Sequence, residues 1–150
     1  MARRVGWIVF IVLGMIALLH VYWGVGGLWP ADDLRGLIDT VMGDPRMEVM
    51  PPLWATMIVA ALIAAAGYIA LERAAISTLL PKRMVKLGAW VLFVIFTLRG
   101  LSSYVFAAGV YGNGIALSEP FATYDVWLYG PLCLLIGAGF LYLALSKARS

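Results

Sequence analysis

The side chains with most chemistry to offer lie where chemistry is costly. His20 sits in the apolar run that opens the chain, Arg99 near the middle of another, and Asp125 and Tyr129 early in a third. An imidazole titrates near neutrality and serves in proton relays. A guanidinium attracts an anionic or carbonyl group, a carboxylate pairs with a cation or takes a proton, and a phenol donates a hydrogen bond. At about 100° per residue, His20, Trp23, Gly24 and Gly27 share one helix face. Arg99, Ser102, Ser103 and Phe106 share a second, and Asp125, Tyr129, Cys133 and Gly137 a third. The expectation is one polar cluster of His20, Arg99, Asp125 and Tyr129 in the outer leaflet half, which together with Trp23 binds a ligand and is bordered by Tyr22, Tyr104 and Tyr124. A plainer account of the same residues is an Arg99–Asp125 ion pair that fixes helix register, with His20 and Tyr129 completing its hydrogen bonds.

Composition narrows the chemistry further. The 150 residues are 63% hydrophobic and 13% charged, with a mean hydropathy of +0.94. A soluble domain is nearer half apolar and a quarter charged, so a soluble enzyme, a disordered chain and a nucleic-acid binder are all disfavoured. One cysteine, Cys133, allows no intramolecular disulfide and no CxxC redox chemistry. One histidine supplies neither bis-histidine haem ligation nor a multi-histidine metal site, so no metal or cofactor is expected.

The elements that must position these groups are membrane helices. Crossing a hydrocarbon core takes about 20 apolar residues, and four runs qualify: 5–28, 52–71, 85–110 and 121–145. Backbone polar groups in lipid must be satisfied within the segment, and the period-two alternation of barrel strands is absent, so the runs read as helices. The chain is thus expected to be one all-α, polytopic four-helix domain. Eight basic residues fall on one side of it: Arg3, Arg4, Arg73, Lys82, Arg83, Lys86, Lys147 and Arg149. The other side holds Arg35 and Arg46 among Asp32, Asp33, Asp39, Asp44 and Glu48. The positive-inside rule then places both termini in the cytoplasm and the acidic loops outside, and anionic lipid headgroups meet the net charge of +3. No cleavable signal peptide is expected, because the first apolar run is too long for one. Trp7, Trp29, Trp54, Trp90 and Trp127 fall near span ends, as an interfacial belt would.

Residues 30–51 form the longest connection. Its apolar spacing over 31–38 permits a short surface helix capped by Asp32, but isolated helices of that length are marginal, and a solvated loop with one amphipathic turn is expected. Span four is expected to be capped by Ser118, with Asp125 about two turns in. Ala60 with Ala64, and Ala61 with Ala65, offer small-residue contacts within the bundle or in a homodimer. A shift of 82 positions lays Gly6 on Gly88, Tyr22 on Tyr104 and Gly27 on Gly109, a faint sign of two duplicated hairpins.

Three segments together resemble a known family. They are Leu19-His20-Val21-Tyr22-Trp23-Gly24-Val25-Gly26-Gly27-Leu28-Trp29-Pro30, Leu98-Arg99-Gly100, and Phe121-Ala122-Thr123-Tyr124-Asp125-Val126-Trp127-Leu128-Tyr129-Gly130-Pro131-Leu132-Cys133. The combination is similar to the small bacterial membrane proteins of the domain of unknown function 3995, over about residues 5 to 145. The resemblance implies a four-span architecture and the grouping of His20, Arg99, Asp125 and Tyr129, and it implies no activity. A fainter likeness to sterol-isomerase-like lipid-binding bundles is analogy alone, because the paired acidic residues of those bundles are missing.

Three functions compete. The first is binding or transport of a small hydrophobic or amphipathic ligand in an outer-leaflet pocket, with membrane lipids as surroundings. The second is a scaffold or accessory subunit. The third is a lipid-modifying isomerase or reductase using His20 or Asp125 as acid or base, for which no catalytic motif is present.

Overall fold

The structure, a computed structural model, describes residues 1–107 and 117–146. Gly109, Val110, Lys147 and Arg149, on which parts of the repeat, the third span and the charge count rest, lie outside the described residues. The elements are α1 (Ala2–Gly24), α2 (Leu34–Val41), α3 (Leu53–Arg73), α4 (Lys82–Ala107) and α5 (Phe121–Leu145). Among the described residues there is no strand. All but α2 are long and apolar enough to cross a membrane. The shortest of the four has 21 residues, which at 1.5 Å each exceeds a core of about 30 Å.

What these helices bury is not what a soluble bundle buries. Leu18, Leu62, Leu98 and Leu135 point outward on the four long helices, as lipid-facing residues do. The interior is built from Leu13, Phe140, Leu143 and a line of alanines. Helix α1 packs along α3 and α4 along α5. The two hairpins meet through α3 against α4 and α1 against α5, which leaves α1 and α4 on a diagonal.

Within the bundle small residues make the close approaches, and of the expected pairs only Ala60 is buried. Ala61, Ala64 and Ala65 are exposed, and the face turned to α1 is Ala66, Gly67, Ala70 and Ala74. In the α4–α5 contact a side chain at Gly100 would stand 2.7 Å from Leu134 and 2.9 Å from the Gly130 carbonyl. A side chain at Gly130 would stand 3.0 Å from Ser103. Two helices can come this near only where one backbone presents no Cβ to the other.

Helix ends differ from expectation for local reasons. Helix α1 stops at Gly24 instead of near Leu28, where Gly26 takes a left-handed φ of 96°. The reversal is tied by Trp23, whose indole N–H donates to the Trp29 carbonyl at 2.7 Å. The connection to α3 is no solvated loop. Asp33, not Asp32, caps α2, accepting the Gly36 N–H at 2.7 Å. Leu37 and Ile38 are fully buried, and that tertiary packing gives a short helix the stability it lacks alone. Arg35 chelates Asp39 with two hydrogen bonds of 2.9 and 2.8 Å and donates to the Met47 carbonyl at 2.9 Å. One side chain thereby folds the rest of the connection back over α2.

Candidate functional site

Arg99 and Asp125 meet. The Arg99 Nη2 donates to Asp125 Oδ1 at 2.6 Å, and its Nη1 donates to Ser103 Oγ at 2.8 Å, one turn further along α4. The Asp125 side chain is 2% exposed, whereas that of Arg99 is 40% exposed. A carboxylate in so apolar a place needs a cation, and an arginine on an apolar helix needs somewhere to aim its guanidinium. Each supplies the other's requirement across α4 and α5. Ser102, on the same face, donates to the Arg99 carbonyl at 2.7 Å and does not join the pair.

The first turns of α5 aim Asp125 inward. Pro120 occupies the cap position, and Ser118 makes no side-chain cap bond, so Asp125 lies little more than one turn in instead of two. Residues Asp125–Tyr129 form a π turn, closed by the Gly130 N–H on the Asp125 carbonyl. Pro131 accounts for it. A proline has no N–H to give and its ring crowds the carbonyl four residues back, which a wider turn relieves. Tyr129 then points toward α2, and its hydroxyl donates to the Thr40 carbonyl at 3.1 Å. The Phe121 ring covers Gly43 and the Ser118 N–H donates to the Gly43 carbonyl at 3.0 Å. The start of α5 thus holds the end of α2.

His20 and Trp23 stand apart from the ion pair. The His20 Nδ1 is 2.8 Å from the Ile16 carbonyl of its own helix, and its ring lies 5.3 Å from that of Trp23. Both line a cleft of about 180 Å³ with Val41, Met42, Met50 and Thr56 among its walls. Neither Arg99, Asp125 nor Tyr129 lines it. The diagonal placement of α1 and α4 explains the separation, since equal depth on two helices brings side chains together only when the helices are neighbours. Tyr124 joins the Tyr129 side, with ring centroids 6.2 Å apart, whereas Tyr22 turns to its own loop, its hydroxyl accepting the Trp29 N–H at 3.4 Å. The five residues expected to form one pocket therefore fall into two groups, joined through α2: Tyr129 holds Thr40, and Val41 and Met42 follow as a wall of the cleft.

The model of a family described as protein of unknown function (DUF3995) matches residues 4–140. The chain belongs to that family. The match runs from the first turn of α1 to within a few residues of the end of α5, so it includes both groups of polar residues. No curated protein and no solved structure matches.

This DUF3995 member also carries a second buried acid. Glu72, 7% exposed at the end of α3, accepts from the Tyr68 hydroxyl at 2.8 Å, the Ser77 hydroxyl at 2.7 Å and the backbone N–H of Leu79 at 2.8 Å and of Leu80 at 3.4 Å. Beside it Arg73 donates to the carbonyls of Ala144, at 3.2 Å, and Ser146, tying α3 to the last turn of α5. Sequence reasoning passed over Glu72 because it stands among loop cations at a span end. The usable signal was Tyr68 one turn before it and Ser77 five residues after, a donor pair around a lone acid. Among the described residues, no three His, Cys, Asp or Glu side chains gather as a metal ligand set would. Cys133 is half-buried and free.

Proposed function

We propose that this protein binds a small hydrophobic or amphipathic molecule in the membrane, at the end of the bundle that carries α2. The observation that supports this reading is the cleft walled by α1, α3, the end of α2 and the segment just before α3. Its walls are mostly apolar, and His20 adds a polar group that no helix contact requires. In this reading Arg99, Asp125 and Tyr129 position the cleft without touching its occupant. The ion pair sets the α4–α5 register, the π turn aims Tyr129, and Tyr129 holds the end of α2 in place as a wall of the cleft. The charge distribution supports an orientation with α2 outside. Arg3, Arg4, Lys82, Arg83 and Lys86 are exposed at the opposite end, beside the N-terminus.

Thermal-shift screening of lipids, quinones and sterols on the purified protein tests the reading. A binder should raise the melting temperature of the wild type by several degrees and lose that effect in Ala55→Trp, which fills the cleft. A shift of equal size in both, or no shift from any compound, counts against it.

One observation favours a second reading, an accessory subunit. Asp125 and Glu72, the two buried acids, are both satisfied within the chain, as groups that only hold a fold would be. That reading expects Ala55→Trp to leave every ligand response and every cellular phenotype unchanged.

A further inference from the structure

The chemistry of His20 narrows the occupant. Its Nδ1 faces the Ile16 carbonyl at 2.8 Å. A carbonyl oxygen only accepts, so Nδ1 carries the proton, and in the neutral ring Nε2 is then a bare acceptor. Among the described residues nothing donates to it. The other polar groups of the cleft are already engaged. The Trp23 N–H is spent on Trp29, and the Thr56 hydroxyl points to the Pro52 carbonyl at 3.4 Å. No carboxylate lines the cleft to hold the ring as a cation. What remains is one acceptor in a wall of methionine, valine, alanine and proline.

Size and exit route add a second constraint. About 180 Å³ is below the roughly 300 Å³ at which pockets begin to enclose whole drug-sized ligands. The cleft takes one end of a molecule and not all of it. Val59 lines it and is also exposed, and Leu62 continues outward along the same helix. The opening is therefore lateral, onto a lipid-facing surface, and the two methionines adapt to more than one shape.

We propose that the cleft receives the hydroxyl end of an apolar alcohol or phenol, the O–H donating to His20 Nε2 and the hydrocarbon remainder lying along the lipid-facing side of α3. This rests on the binding reading above and adds the chemical class. A carbonyl or ether head of the same size meets a lone pair with a lone pair and leaves Nε2 unsatisfied.

The experiment uses the full chain in phosphatidylcholine nanodiscs, with 2-bromo-1-undecanol and its methyl ether as probes, whose bromine sits beside the hydroxyl end. Bromine quenches nearby tryptophan, and Trp23 lines the cleft. The alcohol should quench saturably, the ether about ten-fold more weakly, and the saturable component should vanish in Trp23→Phe. His20→Gln, which keeps an acceptor, should retain the preference, whereas His20→Leu should bind both probes alike. Equal saturable quenching by alcohol and ether in the wild type overturns the alcohol assignment and leaves the binding reading standing. Absence of saturable quenching by either overturns both. The comparison in the wild type depends on no variant folding.

Discussion

The two ends of the bundle each bury an acid, and they use it differently. At the α2 end Asp125 takes its cation from a residue 26 positions away on another helix. At the end with the N-terminus Glu72 takes four donors, all within eight positions of itself. The first arrangement closes a long loop in the chain and joins two spans, and the second shapes one short connection. Loop-closure entropy makes the first the harder to form and the more consequential to lose. The ends also differ in their surroundings. The Arg99–Asp125 pair leads through Tyr129 to α2 and the cleft, whereas the Glu72 network leads only to the turn between α3 and α4.

Breaking the long-range pair should have the largest effect. Arg99→Ala leaves Asp125 buried without a cation, at a cost of about 3 kcal/mol. That is the low end for buried pairs, because the Arg99 side chain is 40% exposed. Asp125→Ala should cost less, since the guanidinium can turn outward. The double variant should be milder than Arg99→Ala alone. Thermal melts of the three variants in one detergent measure the order. If Arg99→Ala melts like the wild type, the pair does not hold the bundle.

Next in size is Glu72→Gln. The amide keeps one acceptor but sets an N–H₂ where the carboxylate accepted, and leaving a buried donor unmet costs about 1–3 kcal/mol. The loss should stay local. Hydrogen exchange should speed up at the Leu79 and Leu80 amides, which donate to Glu72, with little change in α5. Spread of the effect to Tyr129 would mean the two ends are coupled.

Tyr129→Phe removes one hydroxyl bond to Thr40, worth about 1 kcal/mol. Exchange should rise in α2 while the α4–α5 contact keeps its protection. Ligand response should weaken too, because Val41 and Met42 lose their tether. An unchanged α2 with an altered α5 would reverse the order of cause proposed here.

The sequence alone made some of this legible, and the physics explains which part. Four spans were readable because lipid demands apolar length. The Arg99–Asp125 partnership was readable because two opposite charges in apolar segments at similar depth have few alternatives. His20 was grouped with them and stands apart, since periodicity gives the face and depth of a residue but not which helices are neighbours. Helix α2 was misjudged because its stability comes from burying Leu37 and Ile38 against the bundle, a tertiary gain invisible in eight residues. The partner of Tyr129 is a backbone carbonyl, which every residue possesses, so nothing in the side-chain pattern could mark it.

The smallest effect sharpens the contrast from outside the bundle. Asp44 and Arg46 also pair, with hydrogen bonds of 3.0 and 2.8 Å, but on an exposed stretch of the α2 connection. The Arg46 side chain, with help from its backbone N–H, holds the Asp44 carboxyl at about 2, below its ordinary 3.8. A depressed carboxyl stabilises the folded form above its unfolded value, and that contribution disappears as pH falls from near 3.8 through about 2. Water screens the pair, so the melting temperature should scarcely respond. The titration itself should respond. In Arg46→Ala the Asp44 midpoint, followed by carboxyl carbon NMR, should move from about 2 toward 3.8. The same contact made by Arg99 and Asp125 should show the opposite pattern, a large change in stability on breaking it. If removing Arg46 cost as much stability as removing Arg99, burial would not be what separates the two pairs.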